Sequence, residues 1–127
     1  FSNPLKNIYY NIIKKENLNS LASVSKFLEK FNQQVTLLKG DSKNNLSKVP
    51  LDQIDYVFLD GGHSYGTVIS DLTILLQGLK KNSIILCDDY ADNFCIPEVK
   101  SAIDDFVKQK SLSIKTVSSR FAEIILN

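Results

Sequence analysis

Two short apolar runs, each ending abruptly in acid, constrain this chain more than any other feature. Ile54-Asp55-Tyr56-Val57-Phe58-Leu59 stops at Asp60-Gly61-Gly62-His63-Ser64-Tyr65. About 28 positions later, Ser83-Ile84-Ile85-Leu86-Cys87 stops at Asp88-Asp89-Tyr90. Between them Val68, Ile69, Leu72, Leu75, Leu76 and Leu79 recur at helical spacing, as one apolar face. Two buried strands joined by a helix form a right-handed βαβ unit with parallel strands. Both acidic ends then lie at one sheet edge, where open α/β sheets bind ligands. Asp60, Asp88, Asp89 and His63, the only histidine, therefore converge where chemistry is expected.

The flanking sequence extends the α/β pattern. Pro4 suits the first turn of a helix carrying Leu5, Ile8, Tyr9, Ile12 and Ile13. The pattern breaks over Asn17–Ser20. A second helix reads Leu21, Val24, Phe27, Leu28 and Phe31. Val35 to Lys39 predicts a short strand running into Gly40-Asp41-Ser42, and Leu46 and Val49 a short helix or turn before Pro50. A loop is expected over Ala91 to Ile96. Pro97 opens a helix with Val99, Ala102, Ile103, Phe106 and Val107 on one side. Two final strands, Ser113 to Val117 and Phe121 to Leu126, flank a tight Ser118-Ser119-Arg120 turn, which demands an antiparallel hairpin. With 127 residues and no linker or repeat, the chain reads as a single domain spanning 1–127.

Composition narrows the functional classes. The net charge of +1 gives no reason to expect nucleic acid or an anionic membrane as partner. No apolar run approaches the roughly 20 residues of a membrane span. The start, Phe1-Ser2-Asn3-Pro4, has no signal-peptide character and no initiator Met, so a trimmed or truncated chain is expected. Two cysteines, Cys87 and Cys95, do not make a disulfide framework, so a reduced, cytoplasmic setting is expected. Cys87, at a strand end, reads as a small apolar filler.

Each candidate residue has a functional reading and a plain one. Asp60, Asp88 and Asp89 together can ligate a divalent cation such as Mg²⁺, which takes hard oxygens. Without a cation or protons, three acids at one edge repel one another. The plain reading is that Asp60 or Asp89 caps the following helix. Gly61 and Gly62 permit a tight turn or close approach of backbone to ligand. Tyr65 and Tyr90 can wall a pocket but more often pack, and Asp71 caps or pairs locally. A phosphoryl-accepting receiver module also gathers acids at strand ends. It would place its acidic pair first and its single acid later, the reverse of the order here.

The order of these elements resembles the class I S-adenosylmethionine-dependent methyltransferases. Gly40-Asp41-Ser42, Asp60-Gly61-Gly62-His63-Ser64-Tyr65 and Asp88-Asp89-Tyr90 are similar to a branch with a DGxHxY … DDY pattern. That branch includes macrocin-type, metal-assisted sugar O-methyltransferases. The resemblance covers roughly Val35 to Asn127. It implies a Rossmann-like methyltransferase sheet closed by a C-terminal antiparallel hairpin. It also implies S-adenosylmethionine as cofactor and a small-molecule hydroxyl, such as a sugar's, as methyl acceptor. Asp41 and Ser42 would contact the adenine, although both also suit a helix N-cap. Asp60, Gly61 and Gly62 would line the cofactor site, and Asp60, Asp88 and Asp89 would hold Mg²⁺. His63, with Asp60 as its catalytic companion, would take the proton from the acceptor hydroxyl, a role suited to an imidazole. The family's first two strands and its glycine-rich loop have no counterpart in this sequence, so the Val35 strand is left without a neighbour. The expectation is the C-terminal part of a longer enzyme; pairing with another chain in a homo-oligomer, or a non-catalytic binding module, are the alternatives.

Overall fold

A computed structural model of the chain describes residues 20–126. The helix expected over Leu5 to Ile13 lies outside them. The chain divides into two compact units, one ending at Lys39 and one beginning at Gly40.

In the first unit, Ser20 caps helix α1 (Leu21–Leu28) by accepting a hydrogen bond from the Ser23 amide at 3.1 Å. The helix tightens into a 3₁₀ turn over Glu29–Phe31. The strand expected over Val35 to Lys39 does not form. This stretch pairs with no strand among the described residues, and Val35, Leu37 and Leu38 stay exposed. A β-branched, apolar sequence is only a strand once a neighbour takes up its backbone groups.

The second unit carries the site. Gly40 turns at φ 128°, a conformation open to glycine. Helix α2 (Ser42–Leu46) follows, capped by Asp41, and then a 3₁₀ turn over Leu51–Gln53. Strand β1 (Tyr56–Leu59), helix α3 (Tyr65–Gly78) and strand β2 (Ile84–Cys87) form the expected parallel βαβ unit. Helix α4 (Pro97–Lys110) opens on its proline and ends at Ser111, in the left-handed region at φ 53°. Strands β3 (Ser113–Val117) and β4 (Phe121–Ile125) complete a sheet of order β1-β2-β4-β3. Strand β4 runs antiparallel to both neighbours. Ser118 and Ser119 turn the hairpin at φ 51° and 52°, and the Arg120 amide closes it on the Val117 carbonyl at 3.2 Å.

The register explains the core. Val57, Ile85, Ile124 and Ile114 form one row across the four strands, on the face of the sheet that carries the core. Leu72 and Leu75 of α3, with Ala102, Ile103 and Phe106 of α4, are buried in the same cluster, and the two helices pack on each other. Tyr56 and Phe58, which alternate with Val57, are half exposed on the opposite face. No helix among the described residues is long and apolar enough to cross a membrane.

Candidate active site

The site is built at the carboxyl ends of β1 and β2. The Asp88 amide donates to the Leu59 carbonyl at 3.0 Å, carrying the β1–β2 ladder one residue beyond the strands. That last rung sets the two acidic ends side by side. Asp60, His63 and Asp89 each bring a ligand atom within 4.8 Å of the others. His63 Nε2 lies 2.9 Å from Asp89 Oδ2. A carboxylate can only accept, so Nε2 is the donor, and in the neutral imidazole Nδ1 carries the lone pair. Asp89 adopts φ 56°, uncommon outside glycine but tolerated by Asp. This turn points its side chain at His63, and its carbonyl accepts the Ile96 amide at 2.9 Å.

The cluster gathered by the fold differs from the expected three carboxylates. Asp88, the third acid, is buried and already engaged by Arg120. Its two oxygens accept a bidentate pair from Nε and Nη2 of Arg120, and Oδ1 also accepts the Asp89 amide at 2.7 Å. Hydrogen bonding to Arg120 holds the Asp88 carboxyl below the usual range, against the effect of its burial. The like-charge repulsion anticipated at this edge is thus relieved by a guanidinium. The partner set near His63 is two carboxylates and one imidazole.

Asp41 and Ser42 both have protein partners. Asp41 caps α2, with Oδ1 accepting the Lys43 amide at 2.8 Å, and its side chain stays exposed. Ser42 Oγ donates to Asp71, 2.8 Å from Oδ1 and 3.0 Å from Oδ2. Asp71 is buried, and a Cβ on Gly61 would lie 3.7 Å from its Oδ2. A depression open to solvent, with about 20 Å³ of water-accessible space, is walled by Asp60, Gly61, Gly62, His63, Asp88 and Asp89 and floored by Val68, Cys87 and Ile103. A second depression at Asp41, Ser42 and Thr67 adjoins it, and Asp71 lines both. Asp71 therefore ties the start of α2 to the glycine turn.

Gly62 is dictated by packing, since a Cβ there would come within 2.8 Å of Thr67 Cγ2. The tyrosines of the two motifs turn onto α4. Tyr65 donates to Asp105 at 3.0 Å, which raises its pKa. Tyr90 is buried and donates to Asp104 at 2.6 Å; burial, then that bond, raises its pKa. Burial pushes the Cys87 thiol up to about 12, so it is an inert floor.

Sequence reasoning missed Arg120 and took Asp71 for a local cap or pair, whereas its partner is Ser42, 29 positions away; both had a signal. Arg120 is the only arginine in the chain. Cys87 pairs with Ala122, so counting back along the antiparallel ladder puts Arg120 beside the acidic pair. Asp71 lies at helical spacing from Val68 and Leu75, inside the apolar stripe.

A family model described as a methyltransferase domain matches residues 8–90, well over half of the chain. An uncharacterized protein of Acanthamoeba polyphaga mimivirus is 37% identical over 54 residues, spanning 42% of this chain and 24% of that protein. A candidate rRNA methylase of Clostridium thermocellum aligns with a TM-score of 0.60 at 20% identity, over 83% of this chain and 68% of its own. CalS11, the TDP-rhamnose 3'-O-methyltransferase of calicheamicin biosynthesis, aligns with a TM-score of 0.62 at 19% identity. That alignment covers 82% of this chain and 50% of CalS11. The chain thus spans about a quarter of the mimivirus relative and half of the sugar methyltransferase. The family match on the sequence and the shared architecture agree, and the chain belongs to the methyltransferase domain family, with the class I S-adenosylmethionine-dependent fold.

Proposed function

We propose that this chain contributes the acceptor side of a site for S-adenosylmethionine-dependent methyl transfer to a hydroxyl oxygen of a small molecule. The observation that carries the reading is the meeting of Asp60, His63 and Asp89 at the carboxyl edge of the sheet. S-adenosylmethionine supplies an electrophilic methyl group, so the chain's task is to align the acceptor and manage its proton. Asp89 fixes the imidazole through Nε2–H, leaving Nδ1 to accept the hydroxyl proton. His63 is half exposed, so an acceptor can reach it. Asp60, on the same edge, favours the imidazolium that results. Alignment of the reactants supplies much of the remaining barrier reduction.

The donor set also fits a divalent cation. Two carboxylate oxygens and an imidazole nitrogen suit Mn²⁺ as well as Mg²⁺, and a cation there would acidify a bound hydroxyl. A cation held through Nε2 would replace the bond to Asp89, because a nitrogen that ligates a metal cannot donate. The free Asp41 oxygen and the Gly61–Gly62 turn are the groups offered to the cofactor, with Asp41 suited to an exocyclic amine. CalS11 being a sugar methyltransferase supports a sugar-like acceptor. The chain remains cytoplasmic in this reading, consistent with two unpaired cysteines.

The test is transfer from methyl-labelled S-adenosylmethionine to a panel of sugars, sugar nucleotides and phenols, using the full-length protein. His63→Ala should lower the rate on any accepted substrate by about 10²–10⁴-fold. An unchanged rate would remove His63 from the chemistry. Loss of activity on adding a chelator, restored by Mn²⁺ or Mg²⁺, selects the metal arrangement.

A further inference from the structure

The geometry points to Arg120 as a positioning residue that holds Asp89 in the conformation the site needs. This inference rests on the reading of Asp60, His63 and Asp89 as the working cluster, and its observations are the backbone and ion-pair geometry of Asp88 to Ala91 and Arg120. Arg120 grips the 88–91 segment twice. Its guanidinium takes both oxygens of Asp88, and its own carbonyl accepts the amides of Tyr90 at 3.1 Å and Ala91 at 3.0 Å. Asp89 is the residue between the gripped neighbours, and it is the one turned into the left-handed region. Its amide closes onto Asp88 Oδ1, the same oxygen that receives Arg120 Nε. The guanidinium carbon is fixed in turn over the Phe94 ring at 4.4 Å and the Phe121 ring at 5.2 Å.

The residue type follows from this arrangement. Only a planar fork can meet both Asp88 oxygens while lying against two rings; an ammonium group has the charge without the geometry. A left-handed non-glycine residue is strained and persists where its surroundings over-determine it. Arg120 supplies that determination from a hairpin on the far side of β2. The turn at Ser118 and Ser119 thereby becomes part of the site's construction although neither serine faces it.

Arg120→Lys tests this in the full-length protein without bound metal. Amide hydrogen exchange should accelerate at least tenfold at Ile96, whose partner is the Asp89 carbonyl, and at Tyr90. Exchange in α3 and α4 should stay as in the wild type. A second readout follows the His63 ring resonances, identified by their loss in His63→Ala. Mn²⁺ should broaden the His63 ring resonances of the wild type, and the variant should need at least ten times more Mn²⁺. Lys80→Ala, which removes a surface pair with Asp55, should change neither readout. Wild-type exchange at Ile96 and Tyr90 in Arg120→Lys overturns the inference, whatever Mn²⁺ does. Accelerated exchange with no Mn²⁺ broadening even in the wild type upholds the positioning role and sinks the metal arrangement instead.

Discussion

Gly62→Ala separates a packing requirement from a ligand requirement within the central motif. The new Cβ would lie 2.8 Å from Thr67 Cγ2, 3.3 Å from its Cβ and 3.4 Å from its Oγ1. Carbon atoms in contact normally sit about 3.5–4.0 Å apart, so the overlap with the methyl is about 0.7 Å or more. Thr67 cannot swing aside freely. Its χ1 is stiff, and its hydroxyl lies 2.8 Å from the Ser64 hydroxyl at the start of α3. Forced overlap of this kind costs about 1–3 kcal/mol. Gly62 has no positive φ, so alanine recovers about 0.4–1 kcal/mol by restricting the unfolded chain. The net loss is about 1 kcal/mol, or a fall in Tm of about 4–8 °C for a unit of this size. Thermal melts of Gly62→Ala and of Gly62→Ala/Thr67→Ser measure it. The double variant keeps the hydroxyl and removes the methyl, so it should regain most of the loss. A single variant as stable as the wild type, or a double variant that recovers nothing, would refute the packing argument. If the double variant is stable yet binds S-adenosylhomocysteine poorly, Gly62 also admits the ligand.

Further expectations concern the core, the ion pair and the thiols. Phe106 is fully buried between α4 and the sheet, so Phe106→Ala should lose about 3–5 kcal/mol in urea titrations; a loss under 1 kcal/mol would contradict the packing. The Asp88 carboxyl is depressed from its ordinary 3.8, so its stabilisation is present above that value and fades as pH falls through the lower folded value. The Tm advantage of wild type over Asp88→Asn should be flat from pH 7 to 5 and shrink at more acidic pH; growth of that advantage in acid would reverse the assignment. Cys87 should resist alkylation at pH 8 while Cys95 reacts, and should become reactive in urea. Equal native rates would mean that the floor of the depression is open.

The parts of this fold that were legible in the sequence are those governed by local period. The run Tyr56–Leu59, the stripe from Val68 to Leu79 and the serine turn of the hairpin each announce their own structure. Val35–Lys39 shows the limit, because strand propensity is empty without a partner and the partner is not local. The site divides in the same way. That Asp60, His63 and Asp89 converge followed from βαβ topology alone. Which of Asp88 and Asp89 would face His63 did not, because it depends on one residue's φ and on a guanidinium arriving from 32 positions away. Asp71 was hidden because an acid in an apolar stripe reads as an exception until its serine partner is seen.

Calorimetric titration of S-adenosylhomocysteine into the full-length protein tests the central claim most directly, with wild type beside Asp41→Ala and with Mg²⁺ present or absent. The account predicts one saturable site in the wild type, weakened by Asp41→Ala through loss of a hydrogen bond to a charged acceptor, about 1.5–3 kcal/mol or roughly ten- to a hundredfold. No binding heat by the wild type under either condition would contradict a methyltransferase site at this sheet edge and leave a family fold that binds something other than the cofactor.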